Sequence, residues 1–526
     1  MSPHRAPVTQ PDAVVVGAGP NGLVAANLLA DAGWSVLVLE AQDSVGGAAR
    51  SARDVHPDYV HDTFSAFHPL AVASPAIQAL GLEAYGLKWT HAPAVAGTPL
   101  PEGGWALLHR DRLDTAASLE SSAAGDGYAW LRLCARWDEI GAPLVETALS
   151  PFPPVRAGLR AAGRLPEAGG ARLVRDLLSP ARSLIRRWFR GTAAETLIAG
   201  NAAHADIPLH QPGSAFFGLL LAMLGQQVGF PAPRGGAGML TTAMARRLSS
   251  YGGQIRTGTR VAEVVVSGGR AVGVRTGTGE VLAARRAVLA DVPAPVLYGD
   301  LLPWSSLPVR VRLGMRRFRW DPGTVKVDWA LSGPVPWASP PARVPGTVHL
   351  GATVREVQAT YAQIGSGAVP DRPFALLGQM AATDSSRAPA GGESVWAYVH
   401  VPHRVRFDAG NGEIRGVWDA SDVERMADRV QALVEEQAPG FASRVVARRV
   451  LGPRELEARD ENLVGGALNG GTARLRQQLF LRPVPGLARA ETPVRGLYLA
   501  SASAHPGGGV HGACGANAAR AALAHR

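Results

Sequence analysis

Residues 12–51, DAVVVGAGPNGLVAANLLADAGWSVLVLEAQDSVGGAARS, constrain the fold of this 526-residue chain more than any other stretch. Residues 14–16 are a β-branched run of the kind that forms a strand buried on both faces. Gly17, Gly19 and Gly22 follow at G-x-G-x-x-G spacing, with Pro20 and Asn21 between the last two. Residues 23–32 read as an Ala- and Leu-rich helix ended by Gly33. Residues 35–39 read as a second apolar strand, closed by Glu40. In this register the parts make one nucleotide-binding unit. Gly17 permits the tight turn, Gly19 lets backbone approach a pyrophosphate, and Gly22 lets helix and strand pack closely. The helix N-terminus offers unpaired N–H groups and a positive dipole end to phosphates. A carboxylate at Glu40 suits a ribose diol and repels a 2′-phosphate, so the unit fits FAD or NAD better than NADP. In a chain with 62 glycines the motif alone is weak; the elements around it give it weight.

The net charge of +10 does not point to nucleic acid. Lysine occurs only at Lys88 and Lys326 and arginine supplies the rest, a pattern of GC-rich coding, and no nucleic-acid motif accompanies it. One basic cluster runs from Arg156 to Arg190, interleaved with Leu173, Leu177, Leu184 and Trp188. Such spacing suits either an ordinary amphipathic helix on a domain face or peripheral contact with an anionic membrane. Two distant cysteines, Cys134 and Cys514, argue for a reducing, cytoplasmic setting and against a dithiol centre. The histidines lack metal-ligand spacing, so no metal is expected. No 18-residue apolar span is present, and residues 1–11 lack the apolar core of a signal peptide.

The expected fold class is α/β: a Rossmann-like dinucleotide domain of three ββα layers, glutathione-reductase-like, with an inserted α+β substrate domain. Residues 1–110, 227–300 and 455–526 are assigned to the first domain, and 111–226 with 301–454 to the second. The 227–300 segment carries a helix at 240–250 and strands near 254–256, 260–266, 271–275, 280–283 and 287–290. Residues 111–226 read as mostly helical, ending in the apolar run AFFGLLLAML, too short to span a bilayer. Residues 301–454 mix strands with a helix near 420–437. A substrate domain inserted in a nucleotide domain places a ligand crevice between them.

Four motifs resemble the phytoene desaturase-like branch of the flavin amine oxidase superfamily. EAQDSVGGAARS at 40–51 is similar to that family's E-x(5)-GG segment, which touches the FAD pyrophosphate. FPAPRGGAGML at 230–240 is similar to its middle glycine turn, and GTRVAEVVV at 258–266 to the strand whose backbone, here at Val261, cradles adenine. GLYLASASAHPGGGVHGACGANAARAA at 496–522 resembles its C-terminal strand, H-P-G-G-G turn and helix. The resemblance implies FAD as cofactor, held by Gly17, Gly19, Pro20, Asn21, Gly22, Glu40, Ala41, Gly46, Gly47, Ala48, Val261, Asp291, Ala502, Gly508, Gly509 and Val510. The glycines at 507–509 let backbone approach a flat ring, and a helix starting at Val510 would stabilise charge on the reduced flavin. Ala48 and Ala502 depart from the arginine and acid common in amine oxidases, which argues against that branch.

The resemblance further implies hydride transfer at a carbon of an apolar, isoprenoid- or carotenoid-like substrate; the electron acceptor (oxygen, a quinone or another carrier) stays open. Lys326 is the favoured catalytic candidate because a retained lysine in an arginine-rich chain suggests a need for a compact, tunable amine. Asp328, two residues on, shares its strand face as ion-pair partner or proton acceptor. His505 and His511 flank the glycine turn, as acid or base or in hydrogen-bonding roles. His204 and Asp206 line the crevice or cap a loop. A flavin amine or amino-acid oxidase and a non-catalytic flavin scaffold are the alternatives. An aromatic cage would favour the oxidase, and a long apolar tunnel would exclude it.

Overall fold

The computed structural model describes residues 10–525; residues 1–9, where the absence of a signal peptide was read, lie outside the described residues. β1 (Ala13–Val16) is buried throughout and runs into the glycine turn, α1 (Pro20–Asp31) and β2 (Val36–Leu39). β3 (Ala94–Pro99) and β4 (Trp105–Leu108) form a hairpin. Beyond the short helix Arg112–Glu120 comes a helical block. It comprises α2 (Asp126–Leu149), α3 (Val155–Arg164), α4 (Ala171–Leu178), α5 (Ala181–Trp188), α6 (Thr192–Ala203) and α7 (Ser214–Val228). α8 (Gly238–Ser250) and β5 (Gln254–Arg256) lead to β6 (Val261–Ser267), β7 (Arg270–Thr276), β8 (Val281–Ala283) and β9 (Ala287–Ala290). β10 (Gly323–Leu331), β11 (Pro345–Leu350), β12 (Ala375–Gln379) and β13 (Glu393–Val401) precede α9 (Ala420–Gln437) and β14 (Val445–Leu451). β15 (Leu497–Leu499) and α10 (Ala513–Ala524) return to the first sheet.

That first sheet is parallel, in the order β15-β9-β1-β2-β5. Val15, Val38 and Leu289 face α1, α8 and α10, while Val14, Val16 and Val288 pack against Val261, Val264 and Val274 of the antiparallel β6–β8 layer. Burial on both sides is why β1 is an unbroken aliphatic run. Helices, parallel sheet and antiparallel sheet thus form the three expected layers.

The second sheet has seven strands in the order β14-β10-β13-β12-β11-β3-β4. Residues 94–108, counted from sequence with the nucleotide segment, therefore belong to the larger sheet. The partner that recruits them is β11, with Ala96 opposite Thr347, and no local pattern could announce a parallel pairing so distant in sequence. One face of this sheet is aliphatic. Val325, Val327, Val348, Leu377 and Val399 pack on Val423, Met426, Val430 and Val434 of α9, whose 3–4 spacing makes it amphipathic. The other face carries Thr324, Lys326, Trp396, Tyr398, His400, Thr347 and His349, and the helical block roofs it.

Candidate functional site

The turn after β1 is built from backbone that side chains would block. Gly17 has φ +97°, and a Cβ on Gly22 would lie 2.1 Å from Gly17 O. Pro20 supplies the first residue of α1, where its missing N–H costs nothing. Glu40 accepts from Ala18 N (2.8 Å) and Gln42 N (2.9 Å), so its carboxylate first ties β2 to the turn; Ala41 is exposed. Gly46 N bonds Ala18 O at 2.9 Å and brings Gly47 against Gly19. Asn21 Oδ1 is buried without a protein partner, as expected of an atom awaiting a ligand. Val261 follows shortly after Thr259, whose N–H bonds Glu40 O at 2.7 Å, which places the start of β6 beside the Glu40 end of the turn.

Asp291 Oδ2 accepts from Gly22 N at 2.9 Å. Burial pushes its pKa up to about 7, the Gly22 bond opposing and the charges of Asp460 and Glu40 adding. Asp460, which sequence reading missed, is raised to about 6, chiefly by burial. Acids held partly neutral repel a pyrophosphate less than two full carboxylates would.

At the other end of the unit the structure corrects one expectation. The C-terminal helix begins at Ala513, not Val510, because Gly512 takes a left-handed conformation (φ +65°) that ends the turn first. Val510 and His511 therefore belong to the turn. His511 is buried, its Nδ1 accepts from Ala513 N at 3.0 Å, and burial lowers its pKa to about 4. It caps the helix. His505 sits edge-on to Phe152, with Nε2 3.1 Å from Ser150 O, and burial lowers its pKa as well. A Cβ on Gly508 would fall 2.6 Å from Asn469 Oδ1, so Asn469 lies directly beneath the glycine turn.

Asn469 belongs to a loop that the sequence did not single out. Asp321 accepts from the N–H groups of Leu468 (2.7 Å), Asn469 (2.8 Å) and Gly471 (3.0 Å). Arg482 donates to the carbonyls of Asn469 (2.8 Å), Thr472 (3.1 Å) and Ala502 (2.6 Å). Both side chains are fully buried. A carboxylate thus holds the donors of one loop and a guanidinium fork its acceptors, which a fork geometry allows and an ammonium does not. The Asn469 amide bonds Asp206, which lies 2.5 Å from His400 Nε2 and holds that imidazole above its usual range. The only local signals were the Asn-Gly-Gly turn and an Arg-Pro pair; the rest depends on contacts between distant segments.

Lys326 and Asp328 are paired as the strand spacing suggested, and Arg449 Nη2 adds a second contact to Asp328 at 2.7 Å. The lysine also donates to Asp62 O at 3.0 Å, and burial lowers its pKa against the pull of Asp328. Lys326 lines a cavity of about 910 Å³ that extends from Gly19, Gly47 and Asp291 past Ala502, Gly508 and Gly509. Beyond the glycine turn the walls are hydrocarbon: Ile140, Leu144, Leu165, Leu177, Phe216 and Leu220. Asp328 and His511 differ in access: Asp328 lies behind Lys326, whereas His511, like His505, reaches the cavity wall. His204 also reaches the wall, while Asp206 lies behind it.

Residues 15–80 match the NAD(P)-binding Rossmann-like domain family and residues 160–379 the flavin-containing amine oxidoreductase family. A rat protein, pyridine nucleotide-disulfide oxidoreductase domain-containing protein 2, is 30% identical over 97% of this chain and 92% of its own. The chain belongs to the flavin-containing amine oxidoreductase superfamily. This oxidoreductase is also 25% identical to a lycopene-forming phytoene desaturase from Paracoccus sp., over 97% of this chain and 96% of that one. An oxidoreductase from Methanosarcina mazei shares its fold, with TM-score 0.63 and 15% identity across 97% of this chain and 99% of the other. The present chain is an FAD-dependent enzyme. Three features of the cavity suit that cofactor: the side-chain-free glycine turns, the unpartnered Asn21 Oδ1 and the Gly508 approach. Among the described residues no helix is long and apolar enough to cross a membrane.

Proposed function

We propose that this oxidoreductase makes or removes a carbon–carbon double bond in an apolar, isoprenoid- or carotenoid-like substrate. The observation that carries the reading is the continuity of one cavity from the dinucleotide turn to an aliphatic roof. A hydrocarbon chain is retained there by area burial alone, on the order of 25 cal/mol per Å². Bound FAD supplies the hydride acceptor or donor; desaturation also releases a proton from the neighbouring carbon. Lys326, His204 and His505 are the titratable groups we assign to placing or holding that proton. Trp396 and Tyr398, two residues apart on β13, lie nearly parallel (6.0 Å, 11°) on the sheet wall of the cavity.

The mouth supports a second element of the reading. Leu178, Leu475 and Leu479 line the cavity yet are roughly half exposed, and Val155 and Leu159 protrude from α3 beside Arg156 and Arg160. An apolar rim edged with arginine suits loading from an anionic lipid surface.

The test is spectroscopic. The purified chain should show a flavin spectrum and release FAD on denaturation. Under anaerobic conditions phytoene delivered in anionic vesicles should bleach the flavin, and putrescine should not. Re-oxidation by oxygen and by a quinone then identifies the acceptor. Bleaching by amines alone would replace this reading with the oxidase, and no bleaching by any lipid or amine would favour a scaffold.

A further inference from the structure

The sheet wall of the cavity has a polar spot that a hydrocarbon substrate does not explain. Thr347 is 2% exposed, lines the cavity, and its Oγ1 has no hydrogen-bond partner. A buried hydroxyl left unpaired is unfavourable, and valine would fill the same shape without that loss. Two residues along the same face of β11 stands His349, whose Nε2 lies 2.9 Å from Nε2 of His204. Between two such nitrogens one ring must donate and the other accept, so at least one imidazole is neutral. His204 borders the same space as Thr347, Leu376 and Tyr398.

The charge around this spot narrows what it can take. The nearest cation on the wall, Lys326, is already committed to Asp328 and to Asp62 O. Burial, together with the positive charge that His400 and His349 would present, holds His204 well below its ordinary range. Asp206, the nearest carboxylate, is occupied by His400 and Asn469. A carboxylate or phosphate ligand would find no free positive charge, and an ammonium no free negative one. A neutral oxygen meets both a donor and an acceptor.

We infer that the cavity binds substrates carrying a neutral oxygen function, a hydroxyl or carbonyl, hydrogen-bonded by Thr347 and His204 while the aliphatic roof holds the chain. The inference rests on the apolar-substrate reading above and adds one oxygen to it.

Phytanol and phytane, which differ by a single hydroxyl, separate the two ideas. Both are delivered from cyclodextrin to the FAD-loaded protein, and binding is followed by calorimetry and by perturbation of the flavin spectrum. The alcohol should bind about tenfold more tightly, the scale of one buried hydrogen bond. Thr347→Val should abolish the preference, leave phytane affinity unchanged, and leave or raise the melting temperature of the unliganded protein. His204→Phe should reduce the preference in the same way. Phytane binding as tightly as phytanol overturns the oxygen site alone, as does a Thr347→Val protein that keeps the preference. Binding of neither probe overturns both readings.

Discussion

Replacing Arg482 with methionine removes the fork that holds the 469–472 loop and leaves a chain of similar length in its place. Four carbonyls lose their partners: Asn469, Gly471, Thr472 and Ala502, the last bonded by both Nη2 and Nε, while Gly470 O keeps Ser503. An unsatisfied buried acceptor costs about 1–3 kcal/mol. Some of that is recovered as the loop shifts toward water, so we expect a loss of about 3–5 kcal/mol. Asp321 still holds the N–H groups of the loop, which then lacks its second clamp. The assay is guanidinium-induced release of FAD, followed by flavin fluorescence, beside unfolding followed by tryptophan emission. Flavin release should move to lower denaturant ahead of global unfolding, because Asn469 underlies Gly508. Arg482→Lys should fall between, since an ammonium reaches one carbonyl or two but cannot span the set. An Arg482→Met protein that keeps FAD and unfolds within about 0.5 kcal/mol of the parent would refute the assignment.

Two further perturbations probe the two ends of the cavity. Asp291 has a folded pKa near 7 against an unfolded value near 3.8, so its ionisation weakens the fold progressively from about pH 4 to pH 7 and no further. In FAD-stripped protein Asp291→Asn, whose amide oxygen still accepts from Gly22 N, should gain on the parent over that window, by up to about 4 kcal/mol. A gap in melting temperature that stays flat between pH 4 and 7 would contradict this. Gly378→Ala places a Cβ 2.2 Å from the Trp396 indole, which lies across the strand. The ring must leave the cavity wall, and phytane affinity should drop about tenfold or more while FAD content stays unchanged; equal affinity would show that Trp396 does not shape the site.

Legibility in the sequence tracked how local each cause was. The β1 turn, α9 and the β6–β8 strands could be placed because glycine spacing, 3–4 periodicity and hairpin turns act within a dozen residues. Helix α1 began at Pro20 instead of residue 23, since the glycine turn already hands its carbonyls to the helix. The pairing of Lys326 with Asp328 was visible from strand alternation. The placement of β3 and β4 was not, because their partner lies far along the chain. Nor was the loop pinned by Asp321 and Arg482, which come from either side of it and have no common motif. The delayed start of α10 at Ala513 turned on one left-handed glycine, a choice that composition does not reveal.

The order of strands in the first sheet has a consequence for synthesis. β1 and β2 leave the ribosome early, but their neighbour β9 comes some 250 residues later and β15 with α10 only in the last 30. The larger sheet is likewise interrupted, β3 waiting for β11. The chain thus passes to the larger sheet and back twice before the first sheet is finished. Neither sheet can reach its final packing from one continuous stretch of nascent chain, since each waits for strands far along the sequence. Retention of the cofactor should therefore wait on the pairing of β15 with β9, with the partly paired strands shielded until then.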